Sequence, residues 1–156
     1  EMDVTPASMA TTGIELYNAK GEKVNIYFDM KERKLVMDRT ESGLIEFGKL
    51  AVPHDIEKNY ADIHQGVGNT PFRVFNSINY KNDFALGTWA PLSLCEGKTY
   101  HIDIFVDKCS VEIFVDGGRI AMTNLVFPTT PYTSVKFYNK GASSSFRNIK
   151  ISELSL

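Results

Sequence analysis

Only two of the 156 residues are cysteine, too few for a disulfide framework. Nowhere do 18 apolar residues follow one another, so the sequence carries no helical membrane span. Neither sign of charge dominates: 17 Lys and Arg stand against 19 Asp and Glu, a formal net charge of −2. That balance offers no general attraction to nucleic acid or to an anionic membrane surface. The opening EMDVTPASMATT has no basic segment followed by an apolar one, and so does not read as a signal peptide. No Asn-x-Ser/Thr acceptor occurs. Helical periodicity is missing too, since no stretch of about 11 residues repeats its apolar positions at i, i+3, i+4 and i+7. These absences exclude a knottin-like scaffold, a fibre, a polyanion binder and, at this length, a multi-domain enzyme. What is present is an ordinary globular composition, 43% apolar and 23% charged, with a rich aromatic share of 10 Phe, 7 Tyr and 1 Trp.

Short alternating runs bounded by turn residues take the place of helices. Val24, Ile26 and Phe28 share one face, Asn25, Tyr27 and Asp29 the other. Met30 to Glu32 turns the chain into Lys34 to Arg39, which predicts a hairpin. The strongest signal is Thr99 to Val115, where two strands flank Lys108-Cys109. A two-residue loop there pairs Val106 with Val111 and Phe105 with Glu112. Ile104, Val106, Val111 and Ile113 then face one way, and Asp103, Phe105, Glu112 and Phe114 the other. Further strands are expected at Phe72 to Phe75, Phe84 to Leu86, Thr88 to Leu92, Arg119 to Val126, Thr133 to Tyr138 and Phe146 to Leu154. In the last of these Ile149 and Ile151 are expected to face inward. About ten or more short antiparallel strands in one domain predict two packed sheets, with a closed barrel as the second choice. The strand between Cys95 and Cys109 holds its ends roughly 25 Å apart, so two free thiols are expected. Residues 1–156 read as one module cut from a longer chain, with residues 1–12 a remnant of an upstream strand or linker.

Chemistry-bearing constellations are sparse. His54, His64 and His101 fall in no metal-binding spacing, so no metal site or cofactor is expected. Asp103 and Glu112 become diagonal neighbours about 7–8 Å apart in the predicted hairpin. That is near the roughly 6.5–9.5 Å of an inverting glycosidase pair, but such diagonals are common in charged sheets. An anchoring role for Glu112, through hydrogen bonds to a neighbouring turn or strand, is the plainer reading. Nucleophile elbows and phosphate-cradling glycines are missing. Trp89, Tyr60, Tyr80, Tyr132 and Phe72 lie in or beside predicted loops, where exposed rings suit either a domain interface or stacking on sugar. Trp89 and Tyr132 are the rings chosen for the sugar reading.

Ile104 to Gly118 reads IFVDKCSVEIFVDGG, followed by Thr123 and by Val126-Phe127-Pro128. This resembles the signature of the C-terminal sandwich module of glycoside hydrolase family 32, which includes levanases, inulinases, invertases and fructosidases. The family pattern runs Phe-Val-Asp-x-Ser-Ser-Val-Glu-x-Phe, then a glycine-bearing turn, then Phe-Pro. Asp107, Ser110, Val111, Glu112, Phe114, Phe127 and Pro128 match it, and Cys109 stands where the pattern has Ser. Lys34 to Gly43, KLVMDRTESG, resembles the family's Leu-x-x-Asp-Arg-x-x-Ser-Gly, and Ala90-Pro91-Leu92 its Ala-Pro-Leu. The likeness runs from about Gly13 to Leu156 and is weakest from Pro53 to Tyr80.

The resemblance implies an all-β fold, a two-sheet antiparallel sandwich of the concanavalin-like or jelly-roll-like kind. It also implies that the three catalytic acids lie upstream, on a five-bladed propeller, in Asn-Asp-Pro-Asn-Gly-like, Arg-Asp-Pro and Glu-Cys motifs. None of these occurs here, so no catalytic residue is carried over. The implied role is a non-catalytic domain that packs against the propeller of the same polypeptide and in some members meets a second subunit. An independent fructan-binding module is the alternative. The implied parent is a retaining β-fructosidase, extracellular or periplasmic, with neither nucleic acid nor membrane as partner.

Overall fold

The computed structural model describes residues 1–45, 84–93, 95 and 97–153. Ten strands occur among them: β1 (Met2–Thr5), β2 (Thr11–Tyr17), β3 (Lys23–Asp29), β4 (Lys34–Glu41), β5 (Gly87–Pro91), β6 (Tyr100–Val106), β7 (Ser110–Val115), β8 (Ile120–Leu125), β9 (Ser134–Lys140) and β10 (Ser145–Arg147). They form two five-stranded sheets, β10-β1-β6-β7-β8 and β5-β4-β3-β2-β9, and every pairing is antiparallel. The fold is the all-β two-sheet sandwich that the alternation predicts. Among the described residues no helix is long and apolar enough to cross a membrane.

Alternation decides which face each strand buries. Val24, Ile26 and Phe28 of β3 are at most 2% exposed, and so are Val111, Ile113 and Val115 of β7. Met2 and Val4 of β1, Leu35 and Met37 of β4, and Tyr100 and Ile102 of β6 join the same core. Aromatic pairs cross the gap between the sheets. Phe28 of β3 lies 5.4 Å from Tyr100 of β6, and Phe137 of β9 stands edge-on to Phe146 of β10 at 5.2 Å. Such pairs add about 0.5–1.5 kcal/mol each beyond the area they bury. Two polar links close the sandwich edges. The Thr88 hydroxyl of β5 donates to Asn124 Oδ1 of β8 at 2.7 Å, and Asn139 Nδ2 of β9 donates to the Ser144 carbonyl before β10 at 3.3 Å.

Turn chemistry fits the hairpins. Asn18 Oδ1 accepts from the backbone N–H groups of Lys20 and Glu22 and so shapes the β2–β3 turn, where Gly21 takes a φ of +80°. Met2–Thr5 is an interior strand between β6 and β10. Two expectations are corrected. Phe84 to Leu86 is not a strand, and β5 begins at Gly87. Ile149 and Ile151 are 47% and 77% exposed rather than inward. Asn148 takes a φ of +50°, which breaks the alternation, and the segment beyond it runs beside Glu1. The strand expected at Phe72 to Phe75 lies outside the described residues. Cys95 and Cys109 are free and exposed.

Candidate functional site

The β6–β7 hairpin carries five of the singled-out residues, and its register is the expected one, with Val106 opposite Val111 and Phe105 opposite Glu112. The Asp107 N–H donates to the Ser110 carbonyl at 2.9 Å, and Asp107 Oδ1 accepts from the Lys108 N–H at 2.7 Å. The Cys109 carbonyl then accepts from the Val126 N–H at 2.9 Å, tying the turn to the chain leaving β8. Asp107 and Ser110 therefore close the turn, and Val111, fully buried, fills the core. Glu112 and Phe114 point to the outer face, where Phe114 meets Phe105 edge-on at 5.9 Å. The Glu112 side chain makes no hydrogen bond or ion pair among the described residues. Asp103 and Glu112 occupy one diagonal of a four-residue square, and the two Phe rings occupy the other.

Phe127 and Pro128 meet the segment Asp38-Arg39-Thr40-Glu41-Ser42-Gly43 across the sandwich. The Leu44 N–H donates to the Phe127 carbonyl at 2.8 Å. Arg39 Nη1 donates to the Leu125 carbonyl at 3.0 Å, and its guanidinium lies 4.2 Å from the Phe84 ring centre. Phe84 in turn packs on Phe127 at 5.5 Å. Burial lowers the Arg39 pKa, yet a guanidinium stays charged in a protein. Gly43 holds a φ of +126°, and a Cβ there would strike the backbone of Phe127 and Pro128. Tyr132 completes the cluster, its hydroxyl donating to the Ser42 carbonyl at 2.6 Å. Two motifs about 85 residues apart thus form one clamp between β4 of one sheet and the exit of β8 in the other. Sequence spacing holds no sign of that meeting; a glycine at the end of a strand was its one local signal.

The two rings chosen for sugar stacking are not brought together. Trp89 is 57% exposed on the outer face of β5, opposite Val36. Tyr132 packs against the core, with its hydroxyl engaged on the Ser42 carbonyl and its pKa raised by burial. His101 Nδ1 donates to the Asp3 carboxylate at 2.7 Å, and its Nε2 lies 3.4 Å from Asp103. The Asp3 hydrogen bond raises the His101 pKa. Glu1, His101 and Asp103 bring ligand-type atoms within 4.8 Å of one another, an exposed group whose histidine is already engaged by the carboxylates. His54, His64, Tyr60, Tyr80 and Phe72 lie outside the described residues.

The family model described as "Glycosyl hydrolases family 32 C terminal" matches residues 1–153. Among curated proteins, the chain is 30% identical over 95 residues to a levanbiose-producing levanase of Bacillus subtilis (strain 168), covering 61% of this chain and 17% of that one. It is 22% identical over 155 residues to a levanase of Bacillus sp. (strain L7), covering 99% of this chain and 13% of that one. The chain therefore spans less than a fifth of the curated relatives it matches. A solved fructosyltransferase from A. japonicus shares the fold, with a TM-score of 0.61 at 15% identity over 94% of this chain and 20% of that chain. The turn, clamp and sandwich thus sit in a chain that belongs to the C-terminal domains of glycosyl hydrolase family 32.

Proposed function

We propose that this chain is the non-catalytic accessory module of a fructan- or sucrose-hydrolysing glycosidase, and that it packs against and stabilises a catalytic propeller in the same polypeptide. The observation that carries the reading is one of extent. The match to the C-terminal family covers nearly the whole chain, while the levanases it resembles are several times longer. The motifs that the family resemblance assigns to catalysis are missing from the sequence. Placing those acids on another domain means that the isolated chain releases no sugar from levan, inulin or sucrose.

The outer face of β6, β7 and β8 is the docking surface in this reading. Phe105 and Leu125 are 45% and 51% exposed there, with Phe114 between their strands. Aromatic and apolar side chains favour the centre of a protein interface, and Asp103 and Glu112 are the carboxylates set among them on this face. Glu112, unpaired in its own chain among the described residues, meets a donor across the contact. A fixed contact of this kind holds the propeller's funnel in shape, and small misplacements there are costly to rate. The test is a Phe105→Ser, Leu125→Ser double variant of the full polypeptide. Its fructan-hydrolysing half-life at elevated temperature should shorten several-fold, with KM at low temperature unchanged. An unchanged half-life would overturn the packing reading.

A further inference from the structure

The outer face of the other sheet carries a feature that the packing role does not use. Strand register places Trp89, Val36, Tyr27, Gly13 and Tyr138 in a single row across β5, β4, β3, β2 and β9. Each residue is the direct partner of the next, and all five lie on the face opposite the core-facing Leu35, Ile26 and Ile14. With strands about 4.8 Å apart, the row runs about 19 Å across the sheet.

Gly13 is what makes the row continuous. A Cβ at this position would run into the Ile26 carbonyl and the Tyr27 backbone, so the sheet surface dips between the two tyrosines. Tyr27 and Tyr138 flank that dip, and burial, followed by each neighbouring charge or phenol, pushes both hydroxyls up. Both therefore stay neutral donors and acceptors at physiological pH. At the far end Trp89 keeps more than half of its surface free, and Lys34 lies 4.6 Å from its ring centre. Lys140 stands 5.6 Å from the Tyr138 ring at the opposite end.

The borders of the row indicate what it holds. Lys34, Asp29 and Lys140 line one side. Asp38, Asn25, Glu15 and Lys136 line the other. The apolar strip is one residue wide, and its borders mix both signs. A protein interface wants a broad centre depleted of charge, which this strip, one residue wide between charged borders, does not offer. A polyanion wants one sign only, which the carboxylates here deny. A ligand that is neutral, extended and narrow, with weakly polar C–H faces for the rings and hydroxyls for the borders, meets both requirements. The electron-rich ring faces attract the C–H groups of a sugar, and the mixed donors and acceptors take its hydroxyls.

We propose that the row from Trp89 through Tyr27 to Tyr138 is a binding platform for an extended, neutral oligosaccharide. The rings of Trp89 and the tyrosines stack on successive sugars, and Lys34 and Asp29 hydrogen-bond the hydroxyls along one border. The choice of fructans as first probes rests on the family reading, whereas the platform itself is read from this sheet alone.

The test is calorimetric titration of the chain with levan-type oligosaccharides, inulin-type oligosaccharides and cellohexaose in separate arms. Millimolar or tighter binding in any arm is expected, and the arm that binds identifies the sugar class. Trp89→Ala should weaken that binding about fivefold or more, the effect of losing one stacked aromatic ring, with the melting temperature nearly unchanged. Phe105→Ala, on the opposite face, should leave binding as it was. Absence of binding in every arm, or binding indifferent to Trp89→Ala, overturns the platform. Protection of Trp89 in the full polypeptide without any sugar binding would reassign the strip to a protein contact. Absence of sugar binding leaves the packing role untouched, since that role is read from the other sheet.

Discussion

Replacing Gly43 with alanine should destabilise the domain far more than the same change at Gly21. The two sites share one burden and differ in a second. Both hold φ in the region L-residues avoid, +126° for Gly43 and +80° for Gly21. That alone costs on the order of 1–2 kcal/mol for an alanine. A Cβ at Gly21 would meet nothing within 4 Å. At Gly43 it would lie 2.6 Å from Pro128 Cα and closer still to the Phe127 carbonyl oxygen, both backbone atoms that cannot swing aside. Relieving that contact means pulling the end of β4 from the chain leaving β8, with the Leu44 to Phe127 hydrogen bond at risk. Overpacking of this kind adds about 1–3 kcal/mol, and a lost buried hydrogen bond about 1 kcal/mol more. Gly43→Ala should thus cost roughly 3–6 kcal/mol against roughly 1–2 for Gly21→Ala. At about 2–4 °C per kcal/mol for a domain of this size, the melting temperature should fall about 6–24 °C against about 2–8 °C. Thermal unfolding followed by circular dichroism reads both. Equal shifts for the two variants would refute the clamp as a tight junction between the sheets.

Tyr132→Phe keeps the ring but leaves the Ser42 carbonyl without its 2.6 Å donor; a loss of about 1–3 kcal/mol is expected in denaturant unfolding, and no loss would show that the hydroxyl carries no weight in the clamp. The His101 to Asp3 contact predicts a pH dependence whose two limbs have opposite signs. His101 has its pKa raised, chiefly by the Asp3 hydrogen bond, so its contribution is complete below the unfolded value of about 6.5 and fades as pH rises through the folded value. Asp3 has its pKa lowered, first by His101 and then by Asn148, so its contribution is complete above about 3.9 and fades as pH falls through the folded value. Support from the pair is therefore greatest between about pH 4 and 6.5, and His101→Gln should flatten the upper limb of a stability–pH curve. An unchanged upper limb would remove His101 from the account.

Much of this fold was legible because its signals are local. Alternation alone placed β3, β4, β6 and β7, and the two-residue turn at Lys108-Cys109 set the register of the central hairpin. The misplacements share one cause: alternation says which residues face together, but not whether another layer covers them. Ile149 and Ile151 alternate as well as any strand, yet both are exposed, because Asn148 turns the chain aside. Met2–Thr5 is too short to stand out among Pro6, Ser8 and their neighbours, and only pairing with β6 and β10 makes it a strand. The clamp was visible as two separate motifs, whose meeting depends on how β4 and β8 lie across the sandwich. The aromatic row was hidden for a similar reason. Its five residues come from five strands, and Gly13 has meaning only once Tyr27 is seen beside it.

Covalent footprinting of the full polypeptide, set against this chain alone, tests the packing role most directly. Side-chain labelling of Phe105, Phe114 and Leu125 should fall sharply in the full polypeptide, while Trp89 and Ile151, on other surfaces, label equally in both. Equal labelling of Phe105 and Leu125 in the two forms would contradict the account, because the outer face of β6–β8 would then be open to solvent and support no propeller.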